Sequence, residues 1–344
     1  MRYHVLSRRK GKGELRRFTL PVVMFKPRVL YFVYGGGGLM AMTDTGLYLR
    51  GGVEVFQRPT LSQVTAPAGL VSMGSEYYEN WAVDPAGNLW KRPNSACDTL
   101  FAKVPTPVPV REVFPDPNYG NHVVFLAQNG DLYGQGWNES YSGGGPLGLG
   151  PGVSYVDDFT KLPGVSSVGF VFCYSAQTAA ITSNGDLYVT GGNSWPVSGA
   201  LGLGATPWVD VFTPVSLGGY KAKWGRIARE GTAVVTEDGS VFLSGMGGTT
   251  FQRIPGITGA VQALFGWEET HVTILFSDGS VWGVSLGGEK LFARTPEDLR
   301  IVSIGGDARD GMIMLDSSGD LWEYDRWEGL RKTQFMPVGE DSCE

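Results

Sequence analysis

A short pattern that recurs seven times constrains the fold of this chain more than any other feature of its sequence. Each copy has an apolar run, a tight turn that contains glycine, a Leu or Val, and then an aromatic residue. The turn glycines lie 40 to 55 residues apart, at Gly46, Gly87, Gly130, Gly185, Gly239, Gly279 and Gly319. Four of these turns are Asn-Gly or Asp-Gly pairs, which favour the positive φ angles of tight hairpin turns. Each copy therefore predicts a β-hairpin.

Two further strands flank each hairpin, so each repeat predicts four strands. An extended apolar run precedes the hairpin, and a Phe followed by a Pro comes after it, ending with Phe335 and Pro337. Four strands in a unit of this length are typical of a β-propeller blade, and the 3.6-residue periodicity of a helical solenoid is missing. We predict an all-β, seven-bladed β-propeller with four-stranded blades over residues 29–338. Residues 1–28 then form a basic N-terminal arm and residues 339–344 a short C-terminal tail.

The composition excludes several other classes of protein. The content of 42% hydrophobic and 12% aromatic residues is too high for a disordered chain. No run approaches the roughly 18 apolar residues that span a bilayer as a helix, and residues 1–28 lack the apolar core of a secretory signal. The three cysteines, at positions 97, 173 and 343, form no disulfide or metal-binding pattern. These features predict a protein that is cytoplasmic or incorporated into a viral particle.

Residues suited to catalysis are scarce and mostly fixed in the repeat. Of three histidines, His122 and His271 directly precede hairpins, where we expect a structural role. No Ser-His-Asp or Cys-His arrangement can be built from these positions, and the glycine run at 35–38 lacks the Lys-Ser/Thr of a phosphate-binding loop. The sequence therefore predicts a protein that is not an enzyme, with no catalytic residue, no metal site and no cofactor.

Two copies of the repeat carry a longer signature. Residues 130–150 read GDLYGQGWNESYSGGGPLGLG, and residues 185–204 read GDLYVTGGNSWPVSGALGLG. This pattern resembles the repeat of the regulator of chromosome condensation (RCC1) family, whose Gly-x-x-His segment before the hairpin is echoed by Tyr119-Gly120-Asn121-His122 and by Gly266–His271. The resemblance implies the seven-bladed propeller fold. Because most members of that family act by binding proteins, it also implies a role in protein interaction.

The same two copies contain long insertions, at 134–158 and 189–210, which are rich in glycine and aromatic residues. Adjacent long loops on one rim of a propeller are suited to binding a partner. The alternative is that their aromatic residues simply cap the longer blades. The candidate partner-binding residues are Trp137, Tyr141, Tyr155, Asp157, Asp158, Trp195, Trp208 and Asp210.

The first 28 residues differ in charge from the rest of the chain. They contain nine lysines and arginines against one glutamate, a net charge of +8, whereas the whole chain carries −6. A basic arm can anchor the protein to an acidic partner, and we expect nucleic-acid contact only through it. A solvated tail, or a strand at 18–24 that closes the ring, are the alternatives. The candidate anchoring residues are Arg8, Arg9, Lys10, Lys12, Arg16 and Arg17.

Together these features predict a non-enzymatic interaction module whose partners are other proteins. The first hypothesis is a structural or recognition subunit of a larger assembly, such as a virion or phage tail, anchored by the arm. The alternative is a soluble regulator that binds a single partner, as an exchange factor for a small GTPase or as an enzyme inhibitor. The oligomeric state is left open.

Overall fold

Seven four-stranded antiparallel sheets, arranged as the blades of a ring, make up most of the chain in a computed structural model. The structure describes residues 4–7, 16–19, 27–35, 38–51, 60–93, 100–118, 122–139, 143–194, 198–246, 248–265, 271–306, 311–325 and 329–336. Within these ranges every regular element is a β-strand, and no helix is long and apolar enough to cross a membrane. The predicted all-β, seven-bladed propeller is confirmed.

Each blade takes its four strands in chain order from the centre of the ring outward. Blade 1 contains β3 (Val29–Gly35), β4 (Gly38–Thr43), β5 (Gly46–Gly51) and β6 (Thr60–Val64). Blade 2 contains β7 (Ser72–Ser75), β8 (Glu79–Val83), β9 (Leu89–Pro93) and β10 (Ala102–Val104). Blade 3 contains β11 (Val110–Pro115), β12 (His122–Ala127), β13 (Leu132–Trp137) and β14 (Tyr155–Lys161). Blade 4 contains β15 (Val168–Tyr174), β16 (Gln177–Thr182), β17 (Leu187–Gly192) and β18 (Trp208–Val215).

The remaining blades follow the same order. Blade 5 contains β19 (Ala222–Ala228), β20 (Gly231–Thr236), β21 (Val241–Gly245) and β22 (Gly248–Arg253). Blade 6 contains β23 (Ala260–Phe265), β24 (His271–Phe276), β25 (Val281–Ser285) and β26 (Lys290–Ala293). Blade 7 contains β27 (Ile301–Gly305), β28 (Met312–Asp316), β29 (Leu321–Asp325) and β30 (Gly329–Lys332). Three further strands are β1 (His4–Ser7) and β2 (Arg16–Thr19), which pair with each other, and β31 (Gln334–Met336).

The hydrophobic core lies between neighbouring blades rather than inside any one of them. The second strand of a blade is covered on both faces, and all six residues of β12, β20 and β24 are buried. The outer strands are less covered, and all four residues of β26 are exposed. A typical cluster joins Ile181 and Leu187 of blade 4 to Val234 and Phe242 of blade 5. Each blade therefore depends on its neighbour to bury its apolar surface.

The repeated turn glycines also join one blade to the next. In six blades the carbonyl oxygen of the turn glycine accepts a hydrogen bond from the next blade's first strand, as Gly239 does from the Ala260 N–H at 3.0 Å. Gly239 has a φ of +76°, and a Cβ added to it would lie 2.4 Å from the Gly259 nitrogen. Any side chain would therefore disturb both the turn and the junction between blades. Gly46 in blade 1 forms a shorter turn, with a φ of +138°, and makes no such bond.

The ring is closed by a strand from near the C-terminal end of the sequence. Strand β31 leaves blade 7 after β30 and pairs in parallel with β6, as a fifth strand of blade 1. The sequence prediction that Phe335 belongs to the outer strand of the last repeat is therefore wrong. Strand β30 fills that position, and Phe335 pairs with Leu61 of blade 1. Of the alternative closing segment 18–24, Phe18 and Thr19 pair with β1 instead, and residues 20–24 lie outside the described residues.

The antiparallel order gives the ring two distinct faces. The hairpin turns between the second and third strands, such as residues 84–88, lie on one side, which we call the turn face. The loops that join the first to the second strand and the third to the fourth lie on the opposite side, which we call the loop face. The central parts of the two long insertions, the connections from β13 to β14 and from β17 to β18, both belong to the loop face.

Candidate partner-binding site

A buried asparagine holds each of the two long loops in place. The side-chain amide of Asn138 donates to the Val153 carbonyl at 2.8 Å, and its Oδ1 accepts the Leu147 N–H at 2.9 Å. Asn193 accepts the Leu201 N–H at 2.8 Å in the same way. Because a buried amide needs partners for both its donor and its acceptor, the Gly-x-Asn part of the signature fixes the loop conformation.

The Leu-Gly-Leu-Gly part of the signature packs each long blade against the next one. Leu147 and Leu201 are fully buried. A Cβ added to Gly148 would lie 2.8 Å from the ring of Phe212 in blade 4, and one on Gly202 would lie 2.4 Å from Phe251 in blade 5. This part of the insertions is therefore structural, and the residues available to a partner lie around it.

Three large aromatic side chains remain half exposed around these loops. Trp137 at the end of β13 and Tyr155 at the start of β14 are 52% and 47% exposed, and their rings meet edge to face at 5.3 Å. Trp208 at the start of β18 is 45% exposed and rests on the loop backbone, where a Cβ added to Gly143 would lie 2.7 Å from its ring. We call Trp137, Tyr155 and Trp208 the aromatic surface. Trp208 thus both packs on a loop of blade 3 and presents a face to solvent.

Carboxylates accompany the aromatic surface on the same strands. Asp157 and Asp158 are exposed on β14, and Asp210 is half-buried on β18. Asp210 also joins the two blades, because its carbonyl oxygen accepts the Gly150 N–H at 2.8 Å. Among the described residues, none of these three side chains takes part in an ion pair. The strands therefore bring six of the eight candidate residues to one region of blades 3 and 4.

The other candidate residues do not lie at this region of blades 3 and 4 in the described structure. Tyr141 and Trp195 lie outside the described residues, as do Arg8, Arg9, Lys10 and Lys12 of the arm. Arg16 and Arg17 belong to β2, which pairs with β1. Their part in binding or anchoring stays a prediction.

Solved structures provide the match that sequence comparison does not. No protein-family model matches the chain, and no curated protein matches it in sequence. Human WBSCR16 is 16% identical and matches with a TM-score of 0.61 over 86% of this chain and 87% of its own. Prp20p, the RCC1 of Saccharomyces cerevisiae, is 14% identical, with a TM-score of 0.63 over 81% of this chain and 80% of its own. The chain has an RCC1-like propeller fold.

Other propellers share this architecture more distantly. YCF48 bound to a D1 peptide matches with a TM-score of 0.55 at 11% identity, over 87% of this chain and 94% of that one. The yeast RCC1 structures describe Prp20 bound to Kap60, and the binding properties of Prp20p to Gsp1p and histones. At these identities the likeness establishes the fold alone.

Sequence reasoning missed part of the exposed apolar surface on the loop face. Val153 and Val211 are exposed beside the aromatic surface, and Tyr77 and Tyr78 are exposed on the first loop of blade 2. Both tyrosines lie in the short loop between β7 and β8, where the repeat pattern gives no sign of which side chains are exposed. Their rings meet edge to face at 4.9 Å.

A buried polar cluster underlies the loop face of blades 2 to 4. Burial raises the pKa of Glu76 to about 7, and its Oε1 accepts the Trp81 indole N–H at 2.8 Å. Burial lowers the pKa of His122 to about 4, and its Nε2 lies 3.0 Å from the Thr178 hydroxyl. Burial also raises the pKa of the Cys173 thiol to about 12. At neutral pH the imidazole and the thiol are therefore uncharged and enclosed, which suits packing between blades and not nucleophilic chemistry.

The histidine, cysteine and acidic side chains of the described residues are not grouped as metal ligands. Within the described ranges, no three His, Cys, Asp or Glu side chains are placed to hold a metal ion. His271 instead accepts a hydrogen bond from Arg294 Nη2 at 3.0 Å and packs edge to face on Phe292.

Proposed function

We propose that this chain is a regulatory propeller that binds a single partner protein through the loop face of blades 3 and 4. The observation that carries the proposal is the aromatic surface, where three large rings remain half exposed beside carboxylates that have no cation within the described structure. Tryptophan and tyrosine are enriched at the centres of protein interfaces and among the residues that dominate binding energy. Exposed apolar surface of this kind is typical of interaction sites.

The structural neighbours support a binding role without catalysis. Prp20 is described with Kap60 and in relation to Gsp1p and histones, and YCF48 is described with a peptide. These neighbours fit the single-partner alternative better than a subunit of a virion or tail. Neither the described residues nor the comparisons offer support for the viral role.

The experiment uses the full chain, tagged and recovered from its native cells. We expect a specific protein to be retained by the wild type and lost with Trp137→Ala and with Trp208→Ala. Truncation of a residue that dominates an interface costs about 2 kcal/mol or more, which corresponds to roughly thirtyfold weaker binding. Leu291→Ala is the matched control, because Leu291 is 46% exposed on the outer strand of blade 6.

Thermal unfolding of the same variants separates binding from packing. If both tryptophan variants retain the partner, or if they lose it only because their Tm falls far below that of Leu291→Ala, the aromatic residues cap the blades and the proposal is wrong. Nucleotide-release assays with a panel of small GTPases then distinguish an exchange factor from an inhibitor of another enzyme.

Three sequence predictions remain separate from this proposal. The anchoring role of residues 1–17, the division at residues 28 and 338, and the location, cytoplasmic or in a viral particle, stay predictions. Deletion of residues 1–17 tests the first of them, since an anchoring arm is required for stable association with its partner and a solvated tail is not.

A further inference from the structure

The two long insertions carry charge of one sign only. Residues 137–160 and 189–220 contain no lysine or arginine, although the chain has 28 of them. The same segments contain Glu139, Asp157, Asp158 and Asp210. The surface that they form around the aromatic surface is therefore negative, with no compensating cation in its own sequence.

Two carboxylates in the hairpin turns of the same two blades, on the turn face, are neutralised within the chain. Asp131 pairs with Lys161 at 2.7 Å, and Asp186 pairs with Lys221 at 2.7 Å. Strand β14 shows the contrast within seven residues, because Lys161 at its turn-face end is paired whereas Asp157 near its loop-face end is not. The described part of the chain thus supplies a cation to the turn face of this strand and none to its loop face.

The same contrast holds for the aromatic rings. In four blades a cation of the chain lies 4.9 to 5.4 Å from an aromatic ring centre, as Lys91 over Trp81, Arg253 over Tyr220, Lys290 over Trp282 and Lys332 over Trp322. Within the described ranges, no lysine or arginine stacks on Trp137, Tyr155 or Trp208. These rings are open to a cation that another molecule provides, and tryptophan is the ring that attracts a cation most strongly.

We infer that the segment of the partner that contacts this surface is rich in lysine or arginine, with its cations placed on the rings of the aromatic surface and beside Asp157 and Asp158. This inference rests on the proposed function, since it names the chemistry of the partner at the same site. Complementary charge increases the association rate and excludes partners of the wrong sign. The chain's own basic residues 1–28 have the same chemistry, and the experiment separates them from a partner.

The test uses the full chain and two labelled twelve-residue peptides, one of alternating Gly and Arg and one of alternating Gly and Gln. Fluorescence anisotropy is measured at 50 mM and 300 mM salt. We expect the Arg peptide to bind at least tenfold more tightly than the Gln peptide at low salt, and to weaken at high salt because screening acts on exposed charges. The variant Asp157→Asn with Asp158→Asn should weaken it tenfold and flatten the salt dependence. Asp186→Asn is the matched control and should leave binding unchanged.

Three results would overturn the inference. The first is equal affinity for the two peptides, and the second is Arg-peptide binding that is unchanged by the double Asp variant. The third is binding that appears only after residues 1–28 are removed, which would place the chain's own arm on the surface. If the native partner is lost with Trp137→Ala but kept by the double Asp variant, the proposed function stands and the inference about charge fails.

Discussion

Replacement of Glu323 by Gln is expected to destabilise the ring by about 3 to 5 kcal/mol. Glu323 is fully buried on β29 of blade 7, and its Oε1 accepts a hydrogen bond from Arg50 Nη1 of blade 1 at 2.6 Å. Its other oxygen accepts Arg331 Nη2 at 3.1 Å, and the Thr333 hydroxyl donates to Oε1 at 2.9 Å. Burial lowers the pKa of Arg50, while the carboxylate of Glu323 opposes that shift. Without this carboxylate, the buried guanidinium of Arg50 loses the counter-charge that Glu323 provides where blade 7 meets blade 1.

The measurement is urea unfolding of the full chain followed by tryptophan fluorescence and circular dichroism, with linear extrapolation to water. For 344 residues, the expected loss corresponds to a fall in Tm of about 4 to 7 °C. Asp186→Asn is the control, because it removes an exposed pair whose contribution is expected to be below about 1 kcal/mol.

A second variant separates the buried charge from the packing around it. Replacing Arg50 and Glu323 together by Met removes both charges, and apolar replacement of a whole buried pair is often neutral or stabilising. We therefore expect the double variant to recover most of the lost stability, since the side chain of Arg331 is partly exposed to water. The reasoning would be refuted if Glu323→Gln cost no more than Asp186→Asn, or if the double variant were as unstable as the single one.

Three further predictions concern stability. Glu76→Gln should be more stable than wild type by about 3 kcal/mol at pH 8.5 and equal to it at pH 4. The reason is that the pKa of Glu76 is raised to about 7, so the wild type loses stability as pH rises from 4.5 through 7. Urea unfolding at both pH values checks this. The stability of His122→Asn should fall less in acid than that of the wild type. The pKa of His122 is lowered to about 4, so the wild type loses stability as pH falls from 6.5 through 4. An unchanged slope of unfolding free energy against pH in that window would contradict this. Gly239→Ala should cost about 2 to 5 kcal/mol through its positive φ and the contact with Gly259. Gly256→Ala, with a φ of +70° and open space around it, should cost only about 1 to 2 kcal/mol in the same unfolding assay.

The blades could be predicted from the sequence because their signals are local. A turn glycine, its neighbour and the aromatic residue after it lie within a few positions, and that pattern placed Gly87, Gly185 and Gly319 at hairpin turns in the structure. The destination of β31 could not be predicted, because nothing in residues 334–336 distinguishes pairing with β29 of the same repeat from pairing with β6 of the first. The same holds for Arg50 and Glu323, which are 273 positions apart.

The candidate site was predictable in outline but not in detail. The length of the insertions identified the region, and the lack of lysine and arginine across it can be read from the sequence alone. Which insertion residues would be exposed depended on tertiary packing. Leu147 and Asn138 are buried and fix the conformation of the loop through a hydrogen bond. Trp137, immediately before Asn138, remains half exposed.

Closure by β31 also has a consequence for the timing of synthesis. Strand β6 is complete at residue 64, but its parallel partner is not made until residues 334–336 leave the ribosome. At typical translation rates of 5 to 20 residues per second, that interval lasts about 14 to 55 s. Throughout it, the outer edge of blade 1 presents unpaired backbone groups to other nascent chains, and an open strand edge promotes association between chains. Yield in the cell should therefore depend on chaperone protection of the first blade during translation.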